Sequence, residues 1–260
     1  MQASQQISPS RRSSLRDRVS AEEWAIRVDL AACYRLAHFY GMTDQIYTHI
    51  SARVAGPADR FLINAYGLLF DEVTASTLVK VDLEGRIVDD TGLGINPAGF
   101  VIHSAVHAAR ADAACVMHTH TRAGMAVAAQ KRGLLPLSQH AMRFWNRLSY
   151  HDYEGVALDP AERTRLVRDL GANNAMILRN HGLLTLGPTI RHAFELMYYL
   201  ERSCQSQIDA MVGGAELNIP PPEVCEQTAR QFERPNRLAV ERDWPALLRL
   251  LDRIDESYKT

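Results

Sequence analysis

Residues 115–121 read CVMHTHT, two histidines one residue apart inside an apolar run. Side chains two apart on a strand share a face. His118 and His120 therefore project together, with Cα atoms about 7 Å apart by strand rise and Val116 on the same face. A lone buried histidine is ordinarily satisfied by a carbonyl. A close pair can instead converge on one small cation, as zinc and iron sites require. His181 is the candidate third ligand, because RNHGLL ends a buried-strand pattern at a tight glycine turn, an edge position of the kind where sites form. Three histidine ligands leave positions open for a substrate, whereas a structural zinc closes its shell with four protein ligands. Elsewhere, His38 and His192 fall in predicted helices and read as surface or packing residues; His151 in YHDYEG reads as an exposed strand residue.

The elements that must carry these residues follow from caps and periodicity. SAEE at 20–23 is a capping box, with Ser20 capping and Glu23 reaching back to its amide. The helix after it places Trp24, Val28, Ala31 and Ala32 on one face and should stop at Gly41 in a left-handed conformation. Strand patterns QIYTHISARV, RFLINA and LVKVDLEGRIV follow, with turn signals AGPAD and LEG. Asn96-Pro97 opens a helix to about Arg110, AACVMHTH is a buried strand, and TRAGMAVAAQKRG is a helix closed by Gly133. LSYHDYEGVAL returns to strand, and Asp159-Pro160 opens a helix with Glu162 at its third position, ended by Gly171. AMILRN and LLTLG are strands around the turn Asn180-His181-Gly182, and Thr189 caps a long helix closed by Gly213-Gly214. After IPPPEV come one or two helices, the last begun at Asp243-Trp244-Pro245 and carrying an apolar stripe with Leu247, Leu248, Leu250 and Leu251. Irregular alternation with hairpins predicts one α/β domain over 20–214, a helical extension over 215–260 and a disordered tail over 1–19. GLGINPAG at 92–99 lacks the GxGxxG order and follows no buried strand directly, so a dinucleotide fold is not expected.

The chain has 260 residues, 47% hydrophobic and 23% charged, with net charge −1, a composition that suits a soluble globular protein and disfavours nucleic-acid or membrane-surface binding. No apolar run approaches the ~20 residues of a membrane span. The first twenty residues lack the apolar core of a signal peptide. Cys33, Cys115, Cys204 and Cys225 lie far apart without a CxxC pair, which argues against a zinc ribbon or a secreted disulfide framework. Buried, reduced thiols in a cytoplasmic protein are expected.

HTH after an Asn-Pro helix, then RNHG before a strand, come in order with YGLLFDEVTASTLVKVDLEG, NPAGFVIHSAVHAAR, GLLPLSQHA and YHDYEG. This set resembles the class II aldolase/adducin family over about residues 22–212, and within it the adducin head domain and its bacterial relatives. The resemblance implies an α/β fold of three layers, α/β/α, around a mixed, mostly antiparallel central sheet. It implies a homo-oligomer, commonly a tetramer, with sites at subunit edges. It also implies one divalent metal, zinc by preference with iron or manganese as alternatives, on His118, His120 and His181.

The departures bear on substrate. The family's sugar-phosphate aldolases carry SSExxxH, in which the Glu is catalytic and the two serines bind phosphate. Here His103 matches the His, Gly99 the Glu, and Pro97 and Ala98 the serines. Thr48-His49 stands for the family's Gly-Asn ahead of Ser51, and Tyr66-Gly67 for its Ser-Gly, so only Gly67 of the six phosphate-loop positions is kept. Phosphate needs many donors at short range, and proline offers no backbone N–H. A substrate without a phosphoryl group, aromatic or a carboxylate, is expected, with His49, Ser51, Tyr66 and Gly67 as substrate-binding candidates.

With Gly99 in the Glu position another residue must move protons. LSQHAMRF offers His140 as acid/base, its type titrating near neutrality, Arg143 as a bidentate carboxylate clamp, and Gln139 beside them. Glu72 in LLFDE is a further catalytic candidate, and His103 is read as structural. An ordinary polar loop explains Gln139, His140 and Arg143 equally well.

The resulting expectation is a lyase that cleaves or decarboxylates a small non-phosphorylated carbonyl or keto-acid compound through a metal-stabilised enolate. An adducin-like scaffold without chemistry is the alternative, although LLRLLDRIDESYKT at the C-terminus lacks the lysine-rich tail that adducins use at the membrane skeleton. A non-haem iron oxygenase ranks third. Neither nucleic acid nor membrane is an expected partner.

Overall fold

The computed structural model describes residues 14–54, 56, 59–89, 91–155, 160–233 and 242–260. A one-turn helix α1 (Leu15–Arg18) precedes α2 (Ala21–Phe39), and three strands follow: β1 (His49–Arg53), β2 (Arg60–Ile63) and β3 (Val79–Asp82). Next come α3 (Pro97–Ala109), β4 (Cys115–Thr119), α4 (Arg122–Ala128), α5 (Gln139–Met142), β5 (Leu148–His151) and α6 (Pro160–Leu170). The hairpin strands β6 (Ala175–Leu178) and β7 (Gly182–Gly187) lead into α7 (Ile190–Met211), and α8 (Pro222–Phe232) and α9 (Asp243–Ile254) close the chain.

The seven strands form one sheet in the order β3-β2-β1-β4-β7-β6-β5. Every pairing is antiparallel except β5 with β6, so the sheet is mixed and mostly antiparallel. Central strand β4 is buried along its whole length, because helices cover both faces. Its Cys115 and Met117 join a core with Leu30 and Ala37 of α2 and Met197 and Leu200 of α7. Its Val116 turns the other way, to Ile102 and Val106 of α3 and Leu166 and Leu170 of α6. His118 follows Val116 by two residues and so faces α3.

Local chemistry explains most boundaries. Ser20 caps α2 by accepting from the Glu23 amide. The second half of the expected capping box is missing. The Glu23 carboxylate holds Arg27 Nε at 2.9 Å and Lys80 Nζ at 2.9 Å instead, because Arg27 is fully buried and an unpaired buried charge is costly. At the other end Gly41 adopts φ +68, its amide takes the His38 carbonyl and Met42 takes that of Ala37, the two bonds of a Schellman motif. Helix α4 stops at Ala128, short of Gly133, and the Ala128 carbonyl accepts from the Asn180 amide.

Of the tail expected over 1–19, residues 1–13 lie outside the described residues, as does Asp159. Residues 15–18 are helical, with a capping box between Ser14 and Asp17. The C-terminal extension packs on its own chain: Trp244 and Leu251 of α9 enter the α2–α7 core, and the Ala75 amide donates to the Tyr258 carbonyl. The four cysteines are buried and unpaired. Among the described residues no helix is long and apolar enough to cross a membrane.

Candidate metal centre and its cavity

Strand β4 ends at Thr119, so His120 sits one residue beyond it rather than on it. The turn after β6 supplies the third ring. Asn180 takes φ +56, a conformation asparagine tolerates, and the chain doubles back at His181. Gly182 then runs so close to β4 that a Cβ there would lie 2.3 Å from the Thr119 carbonyl oxygen. That approach brings the start of β7 against the end of β4 and His181 against His118. The ring centroids are 4.6 Å apart for His118–His120 and 4.8 Å for each to His181. The His120 Nε2 atom lies 2.9 Å from Nε2 of both His118 and His181.

The partners of the other ring nitrogens decide where the protons sit. The Leu183 carbonyl can only accept, so His118 Nδ1 donates to it at 2.9 Å and Nε2 carries a lone pair. His120 Nδ1 donates in the same way to the Asp44 carboxylate at 2.9 Å. Burial, with the neighbouring His181 and His120, holds the His118 pKa well below the ordinary histidine value. Burial and His120 take that of His181 to about 4. The three Nε2 atoms converge on one point, while the Leu183 carbonyl and the Asp44 carboxylate take the Nδ1 atoms of His118 and His120. The donor set therefore fits a small divalent ion on three Nε2 atoms. Asp44 stands as the carboxylate behind a ligand histidine that such sites commonly have.

A cavity of about 280 Å³ opens beside the three rings, lined also by Tyr47, His49, Asn96, Gly99 and Tyr153. His49 stands directly across the β1–β4 ladder from His118. It is 3% exposed, neither ring nitrogen has a hydrogen-bond partner, and burial lowers its pKa to about 4.

The other sequence candidates lie elsewhere. Ser51 is fully buried, and its hydroxyl is committed to His103 Nδ1 at 2.6 Å and His107 Nε2 at 2.8 Å. That bond agrees with a structural role for His103. Tyr66 and Gly67 form an exposed turn outside the cavity. The Glu72 carboxylate accepts from the Leu69 amide at 2.8 Å and is exposed. Helix α5 packs on α7 and α8, which takes Gln139, His140 and Arg143 away from the three rings. His140 lies 4.6 Å from the Tyr199 ring centroid. Arg143 is neutralised by Glu195 at 2.8 Å and sits over the Tyr199 ring. His151, expected to be exposed, is 3% exposed and bonds Asp169 at 2.8 Å, because α6 covers that edge. Asp44, Tyr47 and Tyr153 join the site without a motif of their own in the sequence. Only Tyr153, in YHDYEG, carried any signal, since Asp44 lies 76 residues from its histidine.

Residues 28–208 match the profile of the Class II Aldolase and Adducin N-terminal domain. A Pseudomonas aeruginosa protein named "putative aldolase class 2 protein" is 52% identical over 245 residues, 93% of this chain and 94% of that one. Rat alpha-adducin (Rattus norvegicus) is 41% identical over 253 residues, which span 92% of this chain and 34% of the adducin. The crystal structure of an aldolase II superfamily protein from Pseudomonas syringae matches with TM-score 0.91 at 58% identity, covering 95% of this chain and 99% of that one. The chain belongs to the class II aldolase and adducin family.

Proposed function

We propose that the chain is a divalent-metal-dependent lyase that cleaves or decarboxylates small, non-phosphorylated hydroxy-carbonyl or keto-acid compounds. The observation that carries this reading is the convergence of three Nε2 atoms, with that of His120 2.9 Å from those of His118 and His181. These three rings hold the ion through Nε2, while the Leu183 carbonyl and Asp44 keep their orientation. A bound divalent ion with open positions polarises a substrate carbonyl and stabilises the charge that develops on its oxygen as a C–C bond breaks. Three imidazole nitrogen donors suit zinc, and iron also accepts them.

Proton transfer falls to groups that line the cavity. Tyr47, Tyr153 and His49 do so, and they replace His140 and Glu72 in that role. No lysine or arginine lines the cavity among the described residues, which agrees with a substrate lacking a phosphoryl group. A cytoplasmic homo-tetramer is the form this reading expects, by analogy with the family.

A non-catalytic scaffold is the second reading. It is favoured by Gly99 at the position of the family's catalytic acid and by the similarity to alpha-adducin. Metal analysis of protein purified without chelator separates the two. Zinc or manganese near one ion per chain, with pyruvate released from a 4-hydroxy-2-oxo acid or CO₂ from a 3-oxo acid, supports the lyase. Protein free of divalent ions supports the scaffold, and iron with O₂ uptake supports an oxygenase.

A further inference from the structure

Apart from the histidines, Asp44 is the one charged residue among the described residues that line the cavity, and its carboxylate is committed to His120 Nδ1 at 2.9 Å. An anionic tail on a ligand would meet that carboxylate and no lysine or arginine, a like-charge encounter without a compensating partner. Two aromatic rings stand there instead. Tyr153 is 52% exposed and Tyr47 48%. A single exposed aromatic residue says little, but these two line one cavity, and each is tied to the metal centre. The Tyr153 ring stands edge-on to that of His181, with 6.2 Å between centroids. The Tyr47 amide donates to the Asp44 carbonyl at 3.0 Å, so the turn that presents Tyr47 is the one that holds His120. Gln45 within that turn takes φ +48, a conformation that persists only where the surroundings impose it. Ile102 of α3 adds an aliphatic side chain to the lining. The volume of about 280 Å³ exceeds the roughly 150 Å³ of an apolar cavity that takes up benzene, which leaves space beyond a ring for the group that reaches the metal. Of the two ligand types left open by the missing phosphate loops, aromatic and carboxylate, this lining favours the first.

We propose that Tyr47 and Tyr153 form an aryl-binding subsite, so that the ligand class is metal-chelating carbonyl compounds with an aromatic ring at the far end. Aromatic pairs gain from edge-on or offset contact beyond what area burial gives, and the two tyrosines set specificity in this way. The proposal rests on the metal-site reading above.

Three hydroxamates test it. All chelate through the same group and differ in the tail: acetohydroxamate carries a methyl, benzohydroxamate a phenyl and succinic monohydroxamate a carboxylate. Calorimetric titration of the zinc-loaded protein should give benzohydroxamate roughly tenfold tighter binding than acetohydroxamate, the scale of burying a ring. The carboxylate-tailed ligand should bind no more tightly than acetohydroxamate. Tyr153→Phe should keep the phenyl-to-methyl ratio, because the ring stays. Tyr47→Ala and Tyr153→Ala should each reduce it severalfold, and the double variant should retain little of it. Acetohydroxamate is the reference within every variant, so a general loss of stability does not imitate the effect. Equal affinity for the methyl and phenyl tails, a preference for the carboxylate tail, or a ratio that survives in the double variant overturns the aryl subsite and leaves the metal reading in place. Failure of all three hydroxamates to bind overturns the metal reading and this proposal with it.

Discussion

A methyl group at residue 99 has His49 in its way. Gly99 is the third residue of α3 and does not hold a positive φ, so alanine is allowed there by the backbone and should by propensity stabilise the helix by up to about 1 kcal/mol. The added Cβ would sit 2.4 Å from the His49 ring, about 1 Å inside ordinary carbon contact distance. The ring has little freedom to yield, being 3% exposed and packed edge-on to His103. Overpacking of this kind costs about 1–3 kcal/mol, so Gly99→Ala should be net destabilising by about 1–2 kcal/mol. On a His49→Ala background the obstruction is gone, and the same substitution should be neutral or stabilising by up to about 1 kcal/mol. The coupling energy should then be about 2 kcal/mol, within the range seen for residues in contact. Urea denaturation of the four metal-free proteins at one fixed concentration measures it. Gly99→Ala that stabilises both backgrounds equally would show that His49 does not occupy the space beside α3, and the argument for its role in the cavity would fall with it.

Three further outcomes are expected. Zinc at 100 times its Kd should stabilise the stripped protein by about 2.7 kcal/mol, seen as a rise in thermal midpoint, and His181→Ala should abolish that rise. Asp44→Asn should weaken zinc binding about 10–100-fold, as loss of a carboxylate behind a ligand histidine does, while metal-free stability changes by less than about 1 kcal/mol because that contact is part-exposed; unchanged zinc affinity would count against the site geometry. Burial lowers the pKa of His49 to about 4 and of His107 to about 3, against about 6.5 in the unfolded chain. The unfolded state therefore binds more protons below pH 6.5, and stability should fall as pH drops from there towards 4, by on the order of 2 kcal/mol per group at pH 5. Above about pH 7 these groups add no slope, and a denaturation midpoint that stays level between pH 7 and 5 would contradict their burial.

The parts of the site that could be read from the sequence are those whose spacing has a geometric meaning. His118 and Val116 share a face because strands repeat every two residues. His181 sits at a turn because Asn-His-Gly turns sharply, with Asn180 at φ +56. Caps at Ser20 and Thr189 gave α2 and α7 their starts for the same local reason, and α3 begins at Pro97. What spacing cannot show is who satisfies whom across the sheet. Arg143 has the chemistry of a carboxylate clamp, yet Glu195 on α7, 52 residues on, already neutralises it. Ser51 has the chemistry of a substrate ligand, yet two histidines of α3 hold its hydroxyl. Asp44 lies in a loop with no pattern of its own and becomes part of the site only where that loop meets the end of β4. The position of the family's acid shows the limit most directly. Its loss is visible as Gly99 in the sequence, and by itself that loss argues for a dead scaffold. The ring that fills the space beside Gly99 arrives from another strand, 50 positions earlier in the sequence, and appears only when β1 and α3 are placed side by side. Gly99 can then be read as the gap that admits an imidazole beside the three rings.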